Sequence, residues 1–260
     1  MRRDFAAAAA SYDEAAVLAR EVGSRMAERL DCIRLVPGRC ADIGCATGDG
    51  IRELQRRYPK ALPIAIDYAQ PMLQAVRARA SLWQRLRGKS PRLVNADARA
   101  LPLRSGSLDL IWSNLMLHWL DDPLAAFKEL HRVLAVGGLL SFAALGPDTL
   151  KELRAAGATS LRAFPDMHDL GDMLVAAGFS DPVLDMEMIA FEYRRPRQLL
   201  ADQRHLGIRD GLLGKMPWRD WRRVLKNWNR KASFEIVYGH AWKAEPKTTA
   251  DGRAIIRFAR

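Results

Sequence analysis

Apolar positions along this chain alternate between two rhythms, short runs that suit strands and longer stretches at helical spacing. The first helical stretch is Ser11 to Leu35, where Val17, Leu18, Val22, Met26 and Leu30 recur on one face until Pro37-Gly38 ends it. A strand is expected over Arg39 to Ile43, a helix from about Gly50 to Tyr58, and a second strand over Leu62 to Asp67. Pro71 opens a helix that carries Met72, Leu73 and Val76, and Trp83 to Pro91 reads as a basic loop or frayed helix end. Strands follow over Arg92 to Ala96 and Leu108 to Ser113, then a helix from about Asp122 to Leu134 with Pro123 in its first turn. Gly137-Gly138 is expected to stop that helix before a strand over Leu139 to Ala144.

The second half keeps the pattern but changes the spacing. Asp166 to Ala177 is helical, Val183 to Tyr193 is a long strand, and Arg197 to Leu206 and Trp218 to Asn229 are helices before a last strand over Ser233 to Trp242. Strands alternating with helices specify an α/β fold, a doubly wound, mostly parallel sheet covered on both faces. The expected organisation is an N-terminal helical cap (1–37), a core (38–195), a helical lid insertion (196–231), and a last strand with a basic tail (232–260).

Composition narrows the setting. Hydrophobic residues make up 49% and charged residues 27%, which supports a packed core rather than disorder. No apolar run is long enough to span a bilayer, and Asp4, Asp13 and Glu14 interrupt the alanine-rich start, so no signal peptide is expected. Three cysteines, Cys32, Cys40 and Cys45, point to a reducing compartment, and a cytoplasmic location is the expectation. The net charge of +11 suits an acidic partner, or else arginines spread over solvated helices.

The chemistry gathers at strand ends. Cys40-Ala41-Asp42-Ile43-Gly44-Cys45-Ala46-Thr47-Gly48 carries a strand into a glycine-rich turn, and Asp67 ends the next strand; this is the layout of a nucleotide-binding βαβ unit. A similar turn also occurs without a ligand. Asp67 suits a ribose diol, Asp97 the exocyclic amine of an adenine, and Asn114 a polar amino-acid tail. In an open α/β sheet these carboxyl ends converge on one crevice.

The turn Asp42 to Gly48 resembles the first motif of class I S-adenosylmethionine-dependent methyltransferases. Asp67, Asp97-Ala98 with Leu101-Pro102, and Leu134 with Gly137-Gly138 match that family's later motifs in order. Ala46 departs from the usual central glycine, at little cost if its φ is negative. Phe5 to Asp13, Trp112 to Trp119, Gly146 to Arg154, Phe164 to Asp172 and Glu235 to Trp242 look like the malonyl-[acyl-carrier protein] O-methyltransferase family of biotin synthesis. Leu206 to Lys231 is shorter and less similar.

The resemblance implies a class I methyltransferase (Rossmann-like) fold, a seven-stranded sheet with an antiparallel last strand and a helical lid. It implies S-adenosyl-L-methionine as cofactor, S-adenosyl-L-homocysteine as product, and an acyl-carrier protein bearing a malonyl thioester as partner, with no membrane or nucleic acid. The cofactor residues it marks are Tyr12, Asp42, Gly44, Ala46, Gly48, Asp67, Tyr68, Met72, Asp97, Ala98, Asn114 and Leu115. For the acceptor it leaves Tyr12 and His118, with Arg204, His205 and Arg209 as the candidate cation cluster, because arginine binds carboxylates through two parallel bonds. The basic segments Arg85 to Lys89 and Arg219 to Arg230 are candidates for docking the carrier.

A carboxylate acceptor is ionised at neutral pH and needs no general base, so no catalytic residue is expected beyond those that position the reactants. This fits a chain without a nucleophile–base constellation or metal-ligand spacing. Other readings stay open: methyl transfer to a small carboxylic acid, a quinone precursor or RNA, a non-methylating assembly factor that keeps the fold, or a nicotinamide dehydrogenase. The missing Gly-x-Gly-x-x-Gly counts against the last. Trp218, Trp221 and Trp228 sit among arginines, as base stacking on RNA would need, but the helical spacing of Trp221 and Trp228 favours a packing face.

Overall fold

The structure, a computed structural model, describes residues 2–80 and 89–245. Three helices come first, α1 (Arg2–Ala8), α2 (Tyr12–Ala15) and α3 (Val17–Leu30). The alternating core follows: β1 (Arg39–Ile43), α4 (Asp49–Arg57), β2 (Leu62–Asp67), α5 (Gln70–Arg79), β3 (Arg92–Asn95), β4 (Leu108–Asn114), α6 (Pro123–Val133) and β5 (Leu134–Leu145). A single 3₁₀ turn, Leu117–Trp119, lies between β4 and α6. Beyond are α7 (Lys151–Ala155), α8 (Met167–Ala176), β6 (Ser180–Glu192), α9 (Pro196–His205), α10 (Arg209–Leu212), α11 (Trp218–Asn227) and β7 (Lys231–Trp242).

The seven strands form one sheet in the order β3-β2-β1-β4-β5-β7-β6, with β7 antiparallel to both of its neighbours. Because β2 lies on one side of β1 and β4 on the other, the chain reverses direction across the sheet between them, and a crevice opens at that switch point. Successive residues of each strand feed opposite faces. Leu110, Trp112 and Leu139 join α3, α4 and α5 in one core, and Ile111, Leu140 and Phe142 join α6 and α8 in the other. Each fully buried side chain of this size contributes about 1.5–3 kcal/mol, so the double-sided core fixes the strand ends that carry the site.

Three features differ from the sequence reading. The helix expected over residues 11–35 is interrupted at Ala16 (φ −77°, ψ 29°) and stops at Leu30, because buried Ala16 turns the chain and separates Tyr12 from the α3 face. Gly137-Gly138 does not stop α6 but lies inside β5. The helix end is closed instead by Lys243, whose Nζ donates to the carbonyls of His131 and Leu134, both at 2.8 Å. Strand β6 starts at Ser180, before Pro182, which an edge strand tolerates at its bulge beside Asp181 (φ +48°). The short helices α1, α7 and α10 have too few residues to show a period.

Candidate functional site

A cavity of about 500 Å³ lies over the switch point. Its floor comes from the ends of β1, β2 and β4, and its roof from α1, α2 and the insertion that carries α9. Of the expected cofactor residues, Tyr12, Gly44, Ala46, Asp67, Tyr68, Met72, Asp97, Ala98, Asn114 and Leu115 all line it. Asp42 and Gly48 do not. Gly48 (φ +95°) is the N-cap of α4, and Asp42, 2% exposed, lies behind the turn. A side chain at Gly50 would come within 2.6 Å of the Asp42 carboxylate, so only glycine fits beside it. Burial, reinforced by the nearby Asp67, pushes the Asp42 carboxyl up to about 8.

The turn is held by its neighbours. The N–H of Ala46 donates to Asp67 Oδ2 at 3.0 Å and that of Ala69 to Oδ1 at 2.8 Å, which fixes the carboxylate at the cavity floor. Burial raises the Asp67 carboxyl above its usual range. Ala46 has φ +43°, contrary to the negative φ under which its methyl group would cost little. Leu115, across the cavity, is also left-handed at φ +51°. Two non-glycine residues in this region around one cavity mark a site whose surroundings impose the shape.

Asp97 is bound by its own neighbour: Arg99 donates to it from Nε at 3.0 Å and Nη2 at 2.7 Å, and this holds its carboxyl below the usual range. Asn114 donates from Nδ2 to the Ala19 carbonyl at 2.7 Å, while its buried Oδ1 has no partner. Six carboxylates, Glu14, Asp67, Asp97, Asp121, Glu192 and Asp202, line the cavity against Arg99 among the described side chains. Such a wall favours a cationic ligand.

The acceptor candidates divide. His118 is in the wall, 4% exposed. Its Nδ1 accepts from the Leu145 N–H at 3.3 Å, so the ring proton sits on Nε2, which has no partner. Burial, with Arg162 nearby, drives its pKa down to about 3, and the ring packs on Trp119 and Phe164. Tyr12 lines the cavity half-buried, its phenol pKa raised chiefly by burial. Arg204 is exposed and outside the wall; helix periodicity turns its neighbours Asp202 and Gln203 inward instead. His205 ties roof to roof: its carbonyl accepts from Ser11 Oγ at 3.3 Å and its Nδ1 lies 3.9 Å from Glu14. Arg209 begins α10, and its side chain lies outside the described set, as does 81–88 with most of the basic segment Arg85 to Lys89.

Sequence reasoning missed two residues. Asp13 fastens α2 to the glycine-rich turn by accepting from Thr47 Oγ1 at 2.6 Å and pairing with Arg79, which also donates to the Thr47 carbonyl at 2.7 Å. Its only signal was its place beside Tyr12. Gln203, 3% exposed, lines the cavity with its Oε1 unpartnered. Nothing in a helical stretch distinguishes an inward glutamine from an outward arginine one residue later.

Cys45 is buried with its thiol pKa raised by burial, which disfavours a thiolate, and no metal-ligating cluster is found among the described residues. Trp221 and Trp228 are buried in the core, whereas Trp218 is exposed with Arg197 over its ring. The segment Gly146 to Arg154 folds onto β7, where the Asp148 N–H donates to Glu235 at 2.6 Å and the Leu150 N–H to the Ser233 carbonyl at 2.6 Å. No described helix is long and apolar enough to cross a membrane.

Residues 41–142 match the family model described as a methyltransferase domain. Among solved structures, the YcgJ protein of Bacillus subtilis superposes with a TM-score of 0.63 at 14% identity, covering 87% of this chain and 99% of that one. A Thermotoga maritima S-adenosylmethionine-dependent methyltransferase, described as a possible histamine N-methyltransferase, gives 0.58 at 16% identity, with 94% and 100% covered. At those identities the likeness shows the fold, a class I methyltransferase sheet. Curated relatives are far nearer. Malonyl-[acyl-carrier protein] O-methyltransferases of Gallionella capsiferriformans and Laribacter hongkongensis are 47% and 46% identical, each over 99% of this chain and 94% of its own length. An end-to-end match at that level takes in the roof and the β7 segment as well as the common core: the chain belongs to the malonyl-[acyl-carrier protein] O-methyltransferase family.

Proposed function

We propose that this enzyme transfers the methyl group of S-adenosyl-L-methionine to the free carboxyl of a malonyl thioester carried on acyl-carrier protein, an early step of biotin synthesis. The observation that carries the reading is the end-to-end kinship at 47% identity, which extends over the insertion that covers the cavity. The cavity wall supports the cofactor: the unpartnered Asn114 Oδ1 suits an ammonium group, Asp67 a ribose diol, and the six carboxylates a molecule with positive charge. When bound, the cofactor supplies an electrophilic methyl on a positively charged sulfur.

The chain's own residues then have two tasks, to hold the acceptor carboxylate in line and to keep water out. No proton has to be removed from an ionised carboxylate, in keeping with a neutral His118 and a buried Cys45 thiol. Placing two reactants in near-attack geometry supplies about 7–11 kcal/mol in favourable cases. The roof of α1, α2 and α9 serves as cap and lid, and residues 1–37, 38–195, 196–231 and 232–260 are assigned as cap, core, lid and last strand with tail. The exposed face of α11, with Arg219, Arg222, Arg223 and Lys226, is the docking surface assigned to the acidic carrier.

The test is incubation with methyl-labelled S-adenosylmethionine and malonyl-carrier. Base-labile label is expected in the carrier fraction. Cofactor binding by calorimetry with no label transferred would overturn the acceptor assignment.

A further inference from the structure

A carboxylate entering this cavity meets a wall already rich in negative charge, so the groups able to receive it are few. Arg99 is held by Asp97 through two bonds. Arg162, near His118, lies over Trp119 and 3.6 Å from Asp121, and is not part of the wall. Arg204 faces solvent. The amide nitrogen of Asn114 is engaged with the Ala19 carbonyl. Two side chains in the wall remain buried and without a partner for a polar atom, His118 at Nε2 and Gln203 at Oε1. The first carries the ring proton, because Nδ1 accepts from Leu145. The second, in the wall of the same cavity, presents oxygen or NH₂ by a half-turn of its amide.

We propose that the acceptor carboxylate is clasped by these two neutral donors, the Nε2–H of His118 and the side-chain amide of Gln203, and by no arginine. The inference rests on the assignment of a carboxylate acceptor made above. Its physical sense is electrostatic. A guanidinium beside the reacting carboxylate would sit a few ångströms from the positive sulfur of the methyl donor, and like charges at that range repel strongly in a water-poor cavity. It would also hold the electron pair that must attack. Neutral donors orient the carboxylate by hydrogen bonds and leave the donor sulfur as its counter-charge, so attraction is greatest between the atoms that react. His118 and Gln203 are positioning residues, and neither exchanges a proton with the substrate.

The experiment measures binding of malonyl-carrier and of acetyl-carrier, which lacks the carboxylate, to the protein and to Gln203→Leu, Gln203→Glu, His118→Phe and His118→Gln. The wild type is expected to prefer malonyl-carrier. Gln203→Leu and His118→Phe are expected to weaken malonyl-carrier at least about tenfold, the loss of one hydrogen bond to a charged group, with acetyl-carrier unchanged. Gln203→Glu should weaken it further by repulsion, and His118→Gln, which keeps a donor, should retain the preference. Calorimetry with S-adenosylmethionine, expected to be unaltered, certifies that each variant is folded. Methyl transfer by the wild type with an unchanged malonyl preference in folded Gln203→Leu and His118→Phe would overturn the clasp alone. No transfer to malonyl-carrier by the wild type would overturn the acceptor assignment and the clasp together.

Discussion

Ala46 holds a left-handed backbone that L-residues adopt reluctantly, at a cost of about 1–2 kcal/mol. Glycine would remove that strain but adds about 0.5–1 kcal/mol of unfolded-chain entropy. Ala46→Gly is therefore expected to raise stability by up to about 1 kcal/mol, read as a higher urea midpoint of the cofactor-free protein with S-adenosylmethionine affinity retained. A lower midpoint would show that the methyl group earns more by packing than it loses by strain. This conformation was not legible from the turn: alanine at the central position is compatible with either sign of φ until Asp67 is seen to fix its N–H. The residues that line the floor were legible, because β1, β2 and β4 end where their apolar runs end. Arg204 against Gln203 was not, since adjacent residues of a short amphipathic helix differ in facing by a rotation that sequence leaves undetermined.

At the scale of elements, the decisive contact is the one that brings a short N-terminal helix over the glycine-rich turn. Asp13 reaches Thr47 and Arg79 together, so α2, the turn and α5 are joined at one carboxylate. Asp13→Ala removes the hydrogen bond and the ion pair and leaves the Arg20 bond to the Asp13 carbonyl in place. The variant is expected to bind S-adenosylmethionine about tenfold more weakly, the weight of one charged hydrogen bond, with only a small change in melting temperature. Calorimetric affinity equal to the wild type would remove α2 from the cofactor site. The same scale explains why strands were easier to read than helix ends. β1 and β4 are bounded by their own turn residues, Gly38, Gly44 and Ser105 to Ser107, whereas α6 runs straight into β5 and is closed by Lys243, which arrives from the far end of the chain. A helix broken by a buried alanine leaves no mark in composition.

For the whole molecule, the alternation of strands and helices gave the sheet and its two cores, because binary pattern encodes which faces are buried. It could not give the surface. A net charge of +11 coexists with a cavity lined by carboxylates, so the excess of cations lies outside, part of it on the exposed side of α11. Replacing Arg219, Arg222 and Lys226 together by glutamate is expected to lower kcat/KM for the carrier-borne substrate at least about tenfold. The same variant should lose the salt dependence of that parameter and keep kcat, with a small malonyl thioester handled as by the wild type. An unaltered kcat/KM would place the carrier elsewhere.

The contacts of His205 with Ser11 and Glu14 bear on more than closure. They continue a connected path from Thr47 in the turn, through Asp13 and α2, to the end of α9, two residues from Gln203. The two ligands thus share one cover. Whichever arrives first bears the entropic cost of ordering it, and the second finds the work done. Linkage makes the benefit mutual: the factor by which methyl donor tightens acceptor equals the factor by which acceptor tightens methyl donor. Spent cofactor and methylated product are by the same logic released more readily once either has gone.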